Sequence, residues 1–147
     1  MLNRKTFLVA MAAATTALAV GLVWAQSSRT PSPPGAKVYF ISPADGAVIK
    51  GPVKVVMGLS GMGVAPAGVD IGNTGHHHIL VNAPASMKMD GALPADDVHR
   101  HFGLGQTEAS LTLPPGKHTL QLLLGDKSHI PHAPPVISEK ISITVQP

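Results

Sequence analysis

The chain has 147 residues, enough for one domain of ordinary size, and contains no cysteine. The absence of thiols excludes disulfides and thiolate metal ligands. Eleven Lys and Arg against eight Asp and Glu give a net charge of +3, and only 3% of the residues are aromatic. Because nucleic-acid binding needs a basic surface and stacking side chains, we expect no nucleic-acid partner.

Residues 1–25 have the layout of a secretory signal peptide. Asn3-Arg4-Lys5 is basic, an apolar Ala-rich run follows, and small residues precede a cut after Ala25. This pattern predicts a periplasmic or secreted protein. The alternative is an uncleaved N-terminal anchor, since the apolar run is just long enough to span a membrane. Residues 26–36 then form a Pro/Ser-rich linker, and residues 37–147 form the folded domain.

Short segments with alternating apolar and polar residues predict an all-β domain. No long segment has helical period, and turn residues separate the strands. The strand candidates are Lys37–Ile41, Ala47–Ile49, Val53–Leu59, His76–Val81, Ala109–Leu113, His118–Leu124 and Ile137–Val145. Pro114-Pro115-Gly116 predicts a β-hairpin between the fifth and sixth of these. The whole pattern favours a small immunoglobulin-like β-sandwich of about seven strands with long His-bearing loops.

Eight histidines are the most unusual feature of the composition. Alternate residues of a strand point to the same side, so His76 and His78 project together while His77 points with Ile79 and Val81 toward the core. A second His-x-His pair and a third pair follow in the chain. The predicted metal ligands are therefore His76, His78, His99, His101, His129 and His132.

Imidazole ligands without thiolates favour copper, with zinc as the second choice. Met62, Met87 or Met89 could add a soft thioether. Asp96, Asp97 and Glu108 could supply a carboxylate pair, but we expect them to orient imidazoles or to be plain surface charges. His118 shares its side of a strand with three leucines, so we expect it to be a hydrogen-bonded structural residue.

Several stretches together resemble the bacterial domain-of-unknown-function family number 4399. They are Gly-Met-Gly-Val-Ala-Pro-Ala-Gly (61–68), Asn-Thr-Gly-His-His-His-Ile-Leu-Val (73–81), the run 99–109 beginning His-Arg-His-Phe-Gly, Pro-Gly-Lys-His-Thr-Leu-Gln-Leu (115–122) and the run 124–138 containing Ser-His-Ile-Pro-His. The resemblance covers residues 38–146 and implies an exported single domain. It implies no settled activity. The family's motifs match this chain at His76, His78, His99, His101, His118, His129 and His132.

These observations predict a periplasmic metal-binding protein, with copper as the cargo, that binds, stores or delivers the ion rather than catalysing a reaction. The alternative is a non-catalytic Ig-like interaction module of the cell envelope, whose histidines are structural and whose partner is another envelope protein. A third hypothesis is a small metalloenzyme, because His-x-His resembles the strand-borne copper ligands of the Cu/Zn superoxide dismutases. Convergence of imidazoles from separate segments would discriminate the first hypothesis from the second.

Overall fold

A computed structural model describes residues 29–147, so the predicted signal peptide lies outside the described residues. This part of the chain is all-β, as predicted, and contains no helix. Consequently none of it is a helix long and apolar enough to cross a membrane. The strands are β1 (Lys37–Ser42), β2 (Val48–Lys50), β3 (Val53–Ser60), β4 (Gly63–Val64), β5 (Thr74–Val81), β6 (His99–Phe102), β7 (Glu108–Leu111), β8 (Gly116–Gly125) and β9 (Ile141–Gln146).

Two sheets face each other across one apolar core. The smaller sheet has the order β1-β3-β7, and the larger has the order β2-β9-β8-β5 with β4 and β6 both paired to β5. The smaller sheet contributes Val53 and Val55, and the larger contributes Ile79, Leu122 and Ile143, all at most 1% exposed. Alternation in each strand therefore buries one face of both sheets, which confirms the sandwich-like arrangement.

The predicted hairpin between residues 109–113 and 118–124 is wrong. Both segments are strands, but β7 pairs with β3 in the smaller sheet, whereas β8 pairs with β5 and β9 in the larger sheet. The Pro114-Pro115 connection therefore crosses from one sheet to the other. Alternation specifies which face of a strand is buried, but it does not specify the neighbouring strand, and two prolines without N–H groups cannot extend a hairpin ladder.

The outer face of the larger sheet carries a second apolar cluster. Leu80 of β5 and Leu123 of β8 pack there against Ala83 and Leu93, with Met87 and Met89 at the margin. The segment between β5 and β6 supplies these covering residues. Because it lies over the outer face, β5 is buried on both faces from Gly75 to Val81. His76, His77 and His78 are therefore all buried, whichever face of β5 they are on.

The described part of the predicted linker is hydrogen-bonded to the loop that follows β8. Arg29 donates to the carbonyl oxygens of Pro131 and His132, and Thr30 Oγ1 donates to Asp126 Oδ2 at 2.7 Å. A backbone bridge also joins Pro31 to Ala133. This N-terminal segment therefore supports the loop that carries His129 and His132.

Candidate functional site

β5 places His76 and His78 on the outer face of the larger sheet. His77 points the opposite way, toward the core, as the alternation predicts. All three histidines are 0% exposed. The outward-facing pair is therefore not on the surface, because the segments after β5 and β8 cover it.

Two further segments bring imidazoles to the same place. In the antiparallel pairing of β5 with β6, His101 lies directly opposite His78. The loop after β8 adds His129. The ring centroid of His76 lies 4.8 Å from that of His78, 5.0 Å from that of His101 and 5.0 Å from that of His129, while the His101 and His129 centroids are 4.8 Å apart. We call these four residues the histidine cluster.

The geometry of three of these side chains suits one metal ion. One ligand nitrogen from each of His76, His78 and His101 lies within 4.8 Å of the others. Three nitrogens bound to one ion at ~2.1 Å each, with tetrahedral angles between the bonds, are about 3.4 Å apart. Small side-chain adjustments of under about 1 Å therefore bring the three nitrogens to bonding distance, with His129 close enough to approach as a fourth group.

The buried ring nitrogens of the cluster have no hydrogen-bond partner within residues 29–147. Both ring nitrogens of His76 and both of His78 are buried without a hydrogen-bond partner there. Burial, reinforced by the neighbouring imidazoles, lowers the pKa of His76 to about 4 and that of His78 to about 3. Burial and His129 also lower the pKa of His101. The imidazoles of His76, His78 and His101 are therefore neutral at neutral pH, which is the form that binds metal.

Two glycines make room for the cluster, and sequence analysis missed both. A Cβ atom at Gly125 would lie 2.7 Å from Cε1 of His78, and one at Gly103 would lie 2.4 Å from Nε2 of His101. Real Cβ atoms do not approach other atoms so closely, so any larger residue at either position must displace a ring. In the sequence, Gly125 is the last residue of a strand and Gly103 directly follows one. Glycines are common at strand ends, so their position alone does not indicate a site.

Asp126, also missed, shapes the turn that presents His129. Its Oδ1 accepts hydrogen bonds from the backbone N–H groups of Ser128 and Ile130 at 2.8 and 3.0 Å. His129 has a φ of 66°, an uncommon conformation for a residue with a side chain. Burial alone would raise the pKa of the Asp126 carboxyl, but the hydrogen bonds from Thr30 and the turn outweigh it and lower the pKa. An ionised carboxylate therefore holds this turn at neutral pH.

The remaining predicted ligands lie outside the cluster. His99 is on the same face of β6 as His101, but its Nδ1 donates to Asp96 Oδ1 at 2.8 Å and its Nε2 contacts Met87. His132 is fully buried beside Gly75, on the core side of β5. The pair His129 and His132 is thus divided between two faces of the sheet.

Three other residues that the sequence singled out make ordinary structural contacts outside the cluster. His118 is hydrogen-bonded through both ring nitrogens, to Asn82 at 3.0 Å and to the Pro114 carbonyl at 2.8 Å, which confirms the expected structural role. Met62 packs against the sandwich core, and Glu108 forms an exposed ion pair with Lys54.

The sequence profile of one family, described as a domain of unknown function (DUF4399), matches residues 55–146. The match covers most of the folded domain and includes the whole histidine cluster. The chain therefore belongs to this family, which confirms the resemblance seen in its motifs. Neither the curated proteins nor the solved structures include a match to the chain.

Proposed function

We propose that this protein binds a transition-metal ion, copper in preference to zinc, at the histidine cluster, and that it stores or delivers the ion in the periplasm. The observation that carries the proposal is the convergence of His76, His78 and His101 from two strands, with their ligand nitrogens within 4.8 Å of one another. The fully buried and unpartnered nitrogens of His76 and His78 support it further. A structural histidine such as His118 differs from them, because both of its ring nitrogens are hydrogen-bonded.

The choice of copper follows from the donor set. Neutral imidazoles without thiolates suit copper and zinc, and among divalent ions the affinity of such a site is greatest for Cu(II). His101 is exposed, whereas His76 and His78 are not. One ligand at the surface leaves a route by which an ion can enter and leave, as storage or delivery requires. The predicted signal peptide supports a periplasmic location, where copper is encountered outside the reducing cytoplasm.

Titration of the purified protein with Cu(II), Cu(I) and Zn(II) tests the proposal. We expect one equivalent of Cu(II) or Zn(II) to bind, and we expect the double substitution His76→Ala/His78→Ala to weaken binding by more than about 100-fold, because it removes the two buried ligands. The matched control is His118→Gln, which removes a buried imidazole outside the cluster and should leave affinity unchanged.

Circular dichroism of both variants establishes that they retain the β fold. Stoichiometry and affinity that stay unchanged in the double variant would exclude the histidine cluster as the site. A wild type that binds none of the three ions would favour the interaction-module hypothesis, in which the cluster serves packing alone.

A further inference from the structure

A second group of potential ligands lies on the same sheet face as the histidine cluster but outside it. Nε2 of His99 is 3.3 Å from Sδ of Met87. The His99 side chain is only 14% exposed. In the β5–β6 pairing His99 lies opposite Leu80, whereas His101 lies opposite His78. Two residues along a strand separate their Cα atoms by about 7 Å, so the His99–Met87 pair is distinct from the cluster.

Asp96 fixes the orientation and tautomer of His99. A carboxylate can only accept, so Nδ1 of His99 donates to Asp96 Oδ1 over 2.8 Å. The same oxygen accepts from the backbone N–H groups of Val98 at 2.9 Å and His99 at 2.7 Å. Asp96 is thus held in place by three hydrogen bonds. In the neutral imidazole this leaves Nε2 with a lone pair and no proton.

When His99 is neutral, its contact with Met87 joins two electron-pair donors. A thioether sulfur has no proton to give, and Nε2 of a neutral imidazole has none when Nδ1 carries the single ring proton. A nitrogen and a sulfur bound to one ion at ~2.0 and ~2.3 Å, with a near-tetrahedral angle, are about 3.5 Å apart. The observed 3.3 Å is close to that separation. A carboxylate–histidine pair is also the usual arrangement behind a metal-bound imidazole.

We propose that His99 and Met87 form a second metal site, selective for a soft monovalent ion, Cu(I) in the cell and Ag(I) as a laboratory probe. Thioether sulfur selects soft ions over Zn(II) and other harder divalent ions. Met87 packs at the margin of the apolar cluster around Leu80 and Leu93, which favours a low-charge ion over a divalent one. An open surface depression is lined by Asp96 and His99 and so borders the site on the His99 side.

This second site does not depend on the histidine cluster. With both sites, one protein would hold divalent ions on imidazoles and monovalent ions on the His99–Met87 pair. The site involves binding alone and requires no redox step within the protein.

Methyl NMR of the purified protein, carrying ¹³C-methyl methionine and titrated with Ag(I), tests the inference. We expect the Met87 methyl signal to shift and to saturate at one equivalent, while the signal of Met57, buried in the sandwich core, stays in place. Met87→Leu, which conserves volume and apolar packing, should weaken Ag(I) binding at least tenfold. The matched control Met62→Leu should not weaken it.

Reciprocal measurements on two of these variants separate this site from the histidine cluster. His76→Ala/His78→Ala should leave the Ag(I)-induced shift of Met87 intact, and Met87→Leu should leave Cu(II) and Zn(II) affinity intact. The inference is overturned if Ag(I) moves the Met87 signal no more than that of Met57, or if Met87→Leu binds Ag(I) as tightly as the wild type. Either result would mean that the contact between His99 and Met87 is structural and binds no ion.

Discussion

His76, His77 and His78 place three imidazoles in the interior with no hydrogen-bond partner among residues 29–147. A buried polar group without a partner costs about 1–3 kcal/mol. His77 faces the sandwich core, so a metal at the cluster would not relieve its cost. For His76 and His78, a bound ion would replace the missing hydrogen-bond partners and offset this free-energy cost. At the scale of the residue, the cluster therefore destabilises the metal-free fold, and a bound metal ion would remove this destabilisation.

The metal-free protein should lose stability in acid. Burial lowers the pKa of His77 from 6.5 to about 4, so the unfolded state binds a proton more readily than the folded state. Neutral His77 therefore contributes ~3 kcal/mol to the free energy of unfolding above pH 6.5. This contribution is lost as the pH falls from 6.5 toward 4. Urea unfolding in EDTA at pH 7.5, 6 and 5 measures the free energy of unfolding along this range.

His77→Leu is the variant that isolates this effect. It replaces an unpartnered buried imidazole by an apolar side chain of similar size, so we expect a more stable protein and a shallower loss between pH 6.5 and 5. Affinity for Zn(II) should stay the same, since His77 points away from the cluster. A pH dependence as steep as in the wild type would show that His77 does not titrate as a buried group.

Gly103→Ala should weaken metal binding with little effect on the fold. The new Cβ would lie 2.3 Å from Cε1 of His101, whose exposed ring can swing into solvent to avoid it. We expect at least a tenfold loss of Zn(II) affinity and a change in unfolding free energy within about 1 kcal/mol. Gly91→Ala, where a Cβ meets nothing within 4 Å, is the control. Unaltered affinity in Gly103→Ala would remove His101 from the proposed ligands.

At the scale of the element, β5 organises the site. It pairs with β8 along one edge and with β6 along the other, and the second pairing sets His101 opposite His78. The turn after β8 then places His129 above the same face. Three separate elements thus meet at one point of the larger sheet, and each contributes at least one imidazole.

The sequence predicted part of this arrangement for a clear physical reason. Period-two alternation identified β5 and the opposite orientations of His77 and its neighbours. It could not predict that His101 rather than His99 faces His78, because that depends on the register between β5 and a strand that was predicted as a loop. Likewise, the spacing of three residues between His129 and His132 does not predict that they lie on different faces of the larger sheet. That placement depends on the turn held by Asp126.

Asp126→Ala should destabilise the turn and lower metal affinity. The substitution removes the acceptor for the Thr30 hydroxyl and for the part-buried backbone N–H groups of Ser128 and Ile130. We expect a loss of ~2–3 kcal/mol in unfolding free energy and a modest weakening of Zn(II) binding as His129 moves. Thermal and urea denaturation measure the first effect, and titration measures the second.

Asp90→Ala provides the matched control for that change. Asp90 is exposed, and within residues 29–147 no hydrogen bond or ion pair involves its side chain. It removes the same charge and should alter stability by no more than ~0.5 kcal/mol. Equal effects of the two substitutions would mean that the Asp126 turn does not hold the loop.

At the scale of the whole molecule, the sandwich and the cluster are thermodynamically linked. The core between the sheets is made mostly of apolar residues, so we expect the fold to form without an ion, whereas the ligands converge only in the folded chain. A ligand that binds only the folded state stabilises it by ~2.7 kcal/mol at a free concentration of 100 times its Kd. The melting temperature should therefore rise with Zn(II) concentration.

Calorimetry measures this rise directly. We expect a shift of several degrees in the wild type and none in His76→Ala/His78→Ala, since the double variant lacks the buried ligands. A shift of the same size in both proteins would assign the stabilisation to ions bound elsewhere on the surface.

Anomalous diffraction at the copper edge from crystals of the protein loaded with one equivalent of Cu(II) tests the metal site most directly. We expect one strong peak within ~2.1 Å of a ring nitrogen of each of His76, His78 and His101, with His129 alongside. Copper peaks only at other positions, with these imidazoles bonded to water or to one another, would contradict the proposed metal site.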